Sequence, residues 1–207
     1  MEIVNKFNLI KLAETYFKSL DRKSATSATG NINIFQNIST NHFNSEKFFI
    51  VKAGILRMLG LMCRYHPAEM NMYAAKCLDL FLSSLKAEMN SKHNNKPELN
   101  VIAGALDGLT HYLFHFTQSE NAKESKEIFD YIYKALLNNS DDVTRYAMPK
   151  AALILLAKHA SQFDESIYSN YNGLFNRIKQ WAQHKNYDMK KQAYFTLDSF
   201  YVQVSFN

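Results

Sequence analysis

Along most of this chain, apolar residues recur at the three- and four-residue spacing that marks one face of a helix. The closing run shows it plainly: Met189, Ala193, Leu197, Phe200 and Val204 form one stripe, with Tyr194, Phe195 and Tyr201 beside it. Such broad apolar coverage suits a helix sandwiched between neighbours. The pattern predicts helices over 46–65, 68–89, 98–116, 120–137, 143–160, 167–184 and 189–205. Ser45 is placed to cap the first and Pro67 ends it; Asp142 and Asp188 stand where N-caps belong. Pro149 falls inside the 143–160 helix, where it removes the bond to the Arg145 carbonyl and predicts a bend.

One pattern returns four times, early in successive apolar runs. It reads Val51-Lys52-Ala53-Gly54, Val101-Ile102-Ala103-Gly104, Pro149-Lys150-Ala151-Ala152 and Lys190-Lys191-Gln192-Ala193, at intervals of 50, 48 and 41 residues. These approach the ~40–47 of HEAT and armadillo units, which stack because no single unit buries its apolar face alone. The sequence therefore predicts an all-α, HEAT/armadillo-like solenoid, a right-handed superhelix segment of three helix pairs or slightly more. Residues 1–20 read as an N-terminal helical segment, 21–44 as a polar Ser/Thr/Asn-rich linker or insertion, and 45–207 as the repeats. A solenoid end needs a polar capping helix, and the apolar pattern is still running at Asn207, so a truncated piece of a longer protein is expected.

Composition narrows the function. Six Gly and three Pro in 207 residues argue against a turn-rich β protein. No apolar run reaches the ~20 residues of a membrane span, and the first 20 residues mix charge with apolar positions, unlike a secretory leader. An intracellular setting follows, with Cys63 and Cys77 as reduced, buried thiols and the acceptors at Asn37 and Asn138 unused. The net charge of +5 tolerates a polyanionic partner, although no basic run exceeds two residues. His111 and His115 stand four apart without the Glu of a metalloprotease helix or an evident third ligand, so packing or surface roles are expected. His66, His159 and His184 sit at helix ends, where a cationic ring complements the dipole. The spacing of Ser161 and Ser166 implies no pairing with a histidine, and the Ser/Thr-rich linker is open to phosphorylation.

Several segments, in order, carry a closer likeness. Leu59-Gly60-Leu61, His66-Pro67-Ala68-Glu69-Met70, Phe81-Leu82-Ser83-Ser84-Leu85-Lys86 and Ala103-Gly104-Ala105-Leu106-Asp107-Gly108-Leu109 are four of them. Arg145-Tyr146-Ala147-Met148-Pro149, His159-Ala160-Ser161-Gln162-Phe163 and Lys190-Lys191-Gln192-Ala193 follow. Together they resemble the N-terminal HEAT-repeat region of the DNA-dependent protein kinase catalytic subunit, of the phosphatidylinositol 3-kinase-related kinase family. The likeness runs from about 59 to 204, and residues before Ser45 match poorly. Asp142 with Arg145, and Asp188 with Lys191, resemble the acid and base that cross-link neighbouring HEAT repeats.

That resemblance implies a non-catalytic scaffold in a nuclear protein that helps the Ku heterodimer hold double-stranded DNA ends for non-homologous end joining. Its parent would be a serine/threonine kinase using ATP and Mg, with a further solenoid of the same chain as neighbour. This segment has no Gly-rich phosphate loop, His-Arg-Asp loop or Asp-Phe-Gly, so neither catalysis nor a cofactor is expected of it. Solenoids often turn their second helices to the concave side; here these carry Lys52, Arg57, Arg64, Arg145, Lys150, Lys158, Lys190 and Lys191. Such cations can track phosphates without reading sequence. Against this, the 98–116 helix contributes Asp107 and no Lys or Arg, and Arg145 and Lys191 are natural partners of the turn acids. The alternative is a stand-alone HEAT/armadillo adaptor that binds other proteins.

Overall fold

The computed structural model describes residues 45–90, 98–116, 122–137, 146–163 and 173–205. The expected 1–20 helix, the 21–44 linker, Asn37, Asn138, Asp142, Arg145 and Ser166 lie outside them. Among the described residues the chain is all-α. Helix α1 is Ser45–Tyr65, followed by the single turn α2, Pro67–Met70. Then come α3, Ala74–Met89; α4, Leu99–Tyr112; α5, Ala122–Leu136; α6, Ala147–His159; α7, Leu174–Ala182; and α8, Tyr187–Ser205.

Their packing makes two layers. Helices α1, α4, α6 and α8 stack side by side in one row, and α3, α5 and α7 pack onto α4, α6 and α8 respectively. Thus α3/α4, α5/α6 and α7/α8 are three helix pairs, and α1 occupies the place of a second member before them. Burial follows from this. α1 buries one stripe through Ala53, Leu56, Leu59 and Cys63, whereas α4, enclosed by α1, α3 and α6, buries nearly every residue from Val101 to Tyr112. Side-chain hydrogen bonds between successive units span 40–50 residues of chain, the same interval as the sequence repeat. The period read from the sequence is therefore the structural unit.

The α1/α4 crossing is unusually close. A Cβ built on Gly60 would lie 2.5 Å from the Gly108 carbonyl oxygen and 2.6 Å from its Cα; one on Gly104 would lie 2.7 Å from the Ala53 Cα. Backbone meets backbone here, which requires residues without a side chain. Two motifs of the sequence likeness, Leu59-Gly60-Leu61 and the Gly104–Gly108 segment, thus face one another.

Several expectations change. The 68–89 helix is divided by a 3-10 turn, Asn71–Tyr73. Residues 143–145, on whose side Pro149 is expected to bend the helix, lie outside the described residues. Among the described residues α6 starts at Ala147, its first intrahelical bond runs from the Lys150 amide to the Tyr146 carbonyl at 3.0 Å, and Pro149 falls in the first turn, where no amide is needed. The α8 cap is Asn186 rather than Asp188: Asn186 Oδ1 accepts from the Met189 amide at 3.1 Å, and Asp188 is exposed in the first turn. The described part of the 167–184 helix is Leu174–Ala182, entered from Gly173 at φ 104°. Cys63 and Cys77 are free, buried and paired through a mutual hydrogen bond between α1 and α3.

Candidate nucleic-acid interface

The two layers differ in charge. Helices α1, α4 and α6 together carry six Lys/Arg against two acids, whereas α3 and α5 carry five against five. With α8 and α7 included, the row is net +4 and the outer layer net +2, so the larger excess lies on the stacked row. Helix α7 adds Arg177 and Lys179, and α8 is balanced.

The cations singled out from sequence do not share one role. Lys52 is buried on the packing side of α1, so it is not a surface contact. Arg57 is held by α4: its Nε donates to Asp107 Oδ2 at 2.8 Å. Lys150 is half-buried on α6; Lys190 and Lys191 are exposed on α8. Arg145 lies outside the described residues. Asp188 and Lys191 are both exposed and no ion pair joins them; Asp142 and Arg145, the other acid and base of the expected cross-link, lie outside the described residues. Arg177 supplies a cross-link instead. Its Nε donates to the Leu136 carbonyl at 2.7 Å and its Nη2 to the Leu137 carbonyl at 2.8 Å, while Nη1 reaches Gln180. Trp181 Nε1 also donates to the Leu136 carbonyl, at 3.0 Å. Two carbonyls left over at the end of α5 are thereby satisfied from α7.

Arg64 and Lys158 converge across the row. The Arg64 guanidinium lies over the Phe114 ring, 4.1 Å from its centroid, and the Lys158 ammonium lies 5.4 Å from the same centroid. Arg64 Nη1 stands 3.4 Å from His111 Nδ1. Burial and the Arg64 charge hold the His111 pKa below the usual histidine value; Asp107 opposes this and Lys158 adds to it. The ring is therefore neutral near pH 7, with Nδ1 facing the guanidinium as acceptor. Arg64, His111 and Lys158 lie at intervals of 47 residues, so they occupy equivalent places on three successive row helices.

The platform beneath them is tied into the core. Phe114 meets the His159 ring edge-on at 4.9 Å. His159 is buried; its Nε2 donates to the Thr110 carbonyl at 2.7 Å and its Nδ1 accepts from Gln162 Nε2 at 3.2 Å. Burial pushes its pKa down to about 4, despite the Thr110 bond and against a background of nearby cations. It is a neutral tie between α6 and α4, not a cation at a helix end. Nor do the other terminal histidines meet helix carbonyls. His66 Nδ1 lies 3.9 Å from Glu69, and His184 Nδ1 accepts the Asn186 amide at 3.1 Å while packing beside Tyr146 and Trp181.

Sequence reasoning noted Arg64 and Lys158 separately and missed Phe114, which joins them. Among the described residues no three His, Cys, Asp or Glu side chains gather as a metal site, and no helix is long and apolar enough to cross a membrane.

Comparison with known proteins agrees with this architecture. A family described as DNA-PKcs, N-terminal, matches residues 31–207, reaching back into the polar stretch before Ser45. The DNA-dependent protein kinase catalytic subunit of Xenopus laevis is 42% identical over 153 residues, 73% of this chain and 4% of the relative. That of Canis lupus familiaris is 42% identical over 154 residues, and that of Dictyostelium discoideum 28% over 158, with the same 4% of the relative covered. This chain corresponds to a small N-terminal portion of those relatives and belongs to the DNA-PKcs N-terminal family.

Proposed function

We propose that this chain is a non-catalytic scaffold segment of a nuclear DNA-dependent protein kinase catalytic subunit-like protein. It helps engage the Ku heterodimer and double-stranded DNA ends during non-homologous end joining. The parent would supply the serine/threonine kinase with its ATP and Mg; this segment contributes a curved surface and contacts to the next part of the solenoid. The observation that carries the reading is the unequal charge of the two layers. Non-specific duplex binding draws on phosphate neutralisation by Lys and Arg, and a machine accepting any DNA end gains nothing from reading bases.

The test is binding of the 207-residue chain to a blunt-ended duplex, with and without Ku, at low and at physiological salt. Salt-sensitive binding by the chain alone supports a phosphate-tracking surface, and charge reversal at Lys150, Lys190 and Lys191 then separates its parts. Binding only with Ku present makes it a protein-docking surface. Failure to bind either partner refutes the proposal for this segment.

A further inference from the structure

We propose that Arg64, His111 and Lys158, gathered on Phe114, form a phosphate-binding site for the backbone of a nucleic-acid duplex, which rests on the duplex-engaging role proposed above. The cluster carries an unbalanced charge. Two cations share one aromatic ring, at 4.1 and 5.4 Å from its centroid, and among the described residues neither has a carboxylate partner. The nearby acid, Asp107, is engaged by Arg57 at 2.8 Å. Like charges held together this way invite an anion.

The geometry suits phosphate. A guanidinium stacked on a ring keeps its N–H donors at its edge, where oxygen atoms of a phosphodiester can take them. Lys158 adds a mobile point charge from α6, and His111 adds a third donor if it takes up a proton. The platform needs no rearrangement, because Phe114 rests on His159 and His159 is tied to the Thr110 carbonyl. Phe114 is 38% exposed, so the cluster opens to solvent.

A duplex fits better than an acidic peptide. Duplex DNA carries one negative charge per ~1.7 Å of its axis, and stacked helices lie roughly 8–10 Å apart. A stiff rod lying across the row at the level of Phe114 can meet Arg64 in the last turn of α1 and Lys158 in the last turn of α6 together. The neutral outer helices α3 and α5 offer no comparable path.

The site also predicts proton uptake. His111 faces Arg64 on α1, Asp107 on its own helix with Arg57 bound to it, and Lys158 and neutral His159 on α6. A phosphate placed among these opposes the two cations and raises the histidine's proton affinity. Binding should therefore tighten as pH falls from about 8 to about 6, and His111→Gln should remove that component.

The experiment measures anisotropy of a labelled blunt duplex against the whole chain and its Arg64→Gln/Lys158→Gln variant, over a salt series. The expected result is an affinity about tenfold lower, with the log–log salt slope less steep by about 2. Circular dichroism checks that the variant folds; if it does not, Lys158→Gln alone, at an exposed position, should reduce the slope by about 1. An unchanged affinity and slope overturn the site, while a Ku-dependent complex would leave the broader reading standing. Absence of duplex binding by the parent chain overturns the site equally. Displacement of the duplex by polyglutamate at matched charge, lost in the same variant, overturns the assignment to nucleic acid in favour of an acidic protein segment.

Discussion

Two glycines of α1, six residues apart, should respond to alanine with opposite signs. Gly54 is exposed, and a Cβ there meets nothing within 4 Å. Gly54→Ala should therefore deliver only the intrinsic preference of a helix interior for alanine, a gain of about 1 kcal/mol. At Gly60 the same Cβ would strike the Gly108 oxygen, Cα and carbonyl carbon at 2.5, 2.6 and 2.9 Å. Carbon contacts are comfortable at about 3.5–4.0 Å, so α1 and α4 must separate by about 1 Å. Overpacking typically costs 1–3 kcal/mol, and here the struck atoms are backbone, which favours about 3. After the propensity gain, Gly60→Ala should lose about 2 kcal/mol, leaving the variants about 3 kcal/mol apart. Thermal unfolding followed by circular dichroism should separate their midpoints by about 6–12 °C for a chain of this size. A Gly60→Ala variant as stable as Gly54→Ala would refute the close crossing.

Four further outcomes follow. His159 is depressed to about 4 when folded against 6.5 as reference, so both states are neutral above about pH 6.5 and the unfolded chain alone gains a proton below it; stability should fall by about 1.4 kcal/mol per unit from there towards pH 4, and His159→Gln should flatten that slope in denaturant titrations. Arg177→Met should cost about 1 kcal/mol by removing the donor to the Leu137 carbonyl and one of the two to Leu136, which keeps Trp181, read by urea midpoint, whereas Lys179→Met on the same helix should change little. Cys63 and Cys77 are buried, and the Cys77 thiol is pushed up first by its bond to Cys63 and then by burial; alkylation of the native chain should be slow at both and fast after denaturation, by mass spectrometry. Tyr194 and Phe195 are exposed on α8 at 58% and 57%, so Tyr194→Glu/Phe195→Lys should lower any self-association seen by light scattering without lowering helicity.

The fold was legible because its unit repeats. Apolar spacing gave helix type, and the interval of 41–50 residues gave the stacking that hydrogen bonds of 40–50 residues' span then realise. Boundaries were less legible where a local competitor was invisible in the pattern. Asn186 outcompetes Asp188 because its own amide is held by His184, fixing the turn one step earlier. Pro149 looked internal because apolar residues extend on both sides of it, yet among the described residues it lies in the first turn of α6.

The candidate site was half legible, for a physical reason. Counting cations helix by helix treats each as a separate surface charge, and so places buried Lys52 beside exposed Lys158. Stacking instead relates positions one repeat apart. Applied to the basic residues, the period links Arg64 to His111 and His111 to Lys158 at 47 residues each. Helix α4, which contributes no Lys or Arg, then becomes the centre of the cluster, because the turn that follows it contributes the ring on which the others rest. A phosphate would meet three helices there at one level, so losing Phe114 should weaken duplex binding although Phe114 carries no charge. Phe114→Leu, which keeps apolar volume above His159 but removes the π face, separates the two roles. Helicity and thermal midpoint should hold while duplex affinity falls about threefold. An affinity that stays level with the parent chain would mean that Arg64 and Lys158 act as independent charges and the ring merely packs.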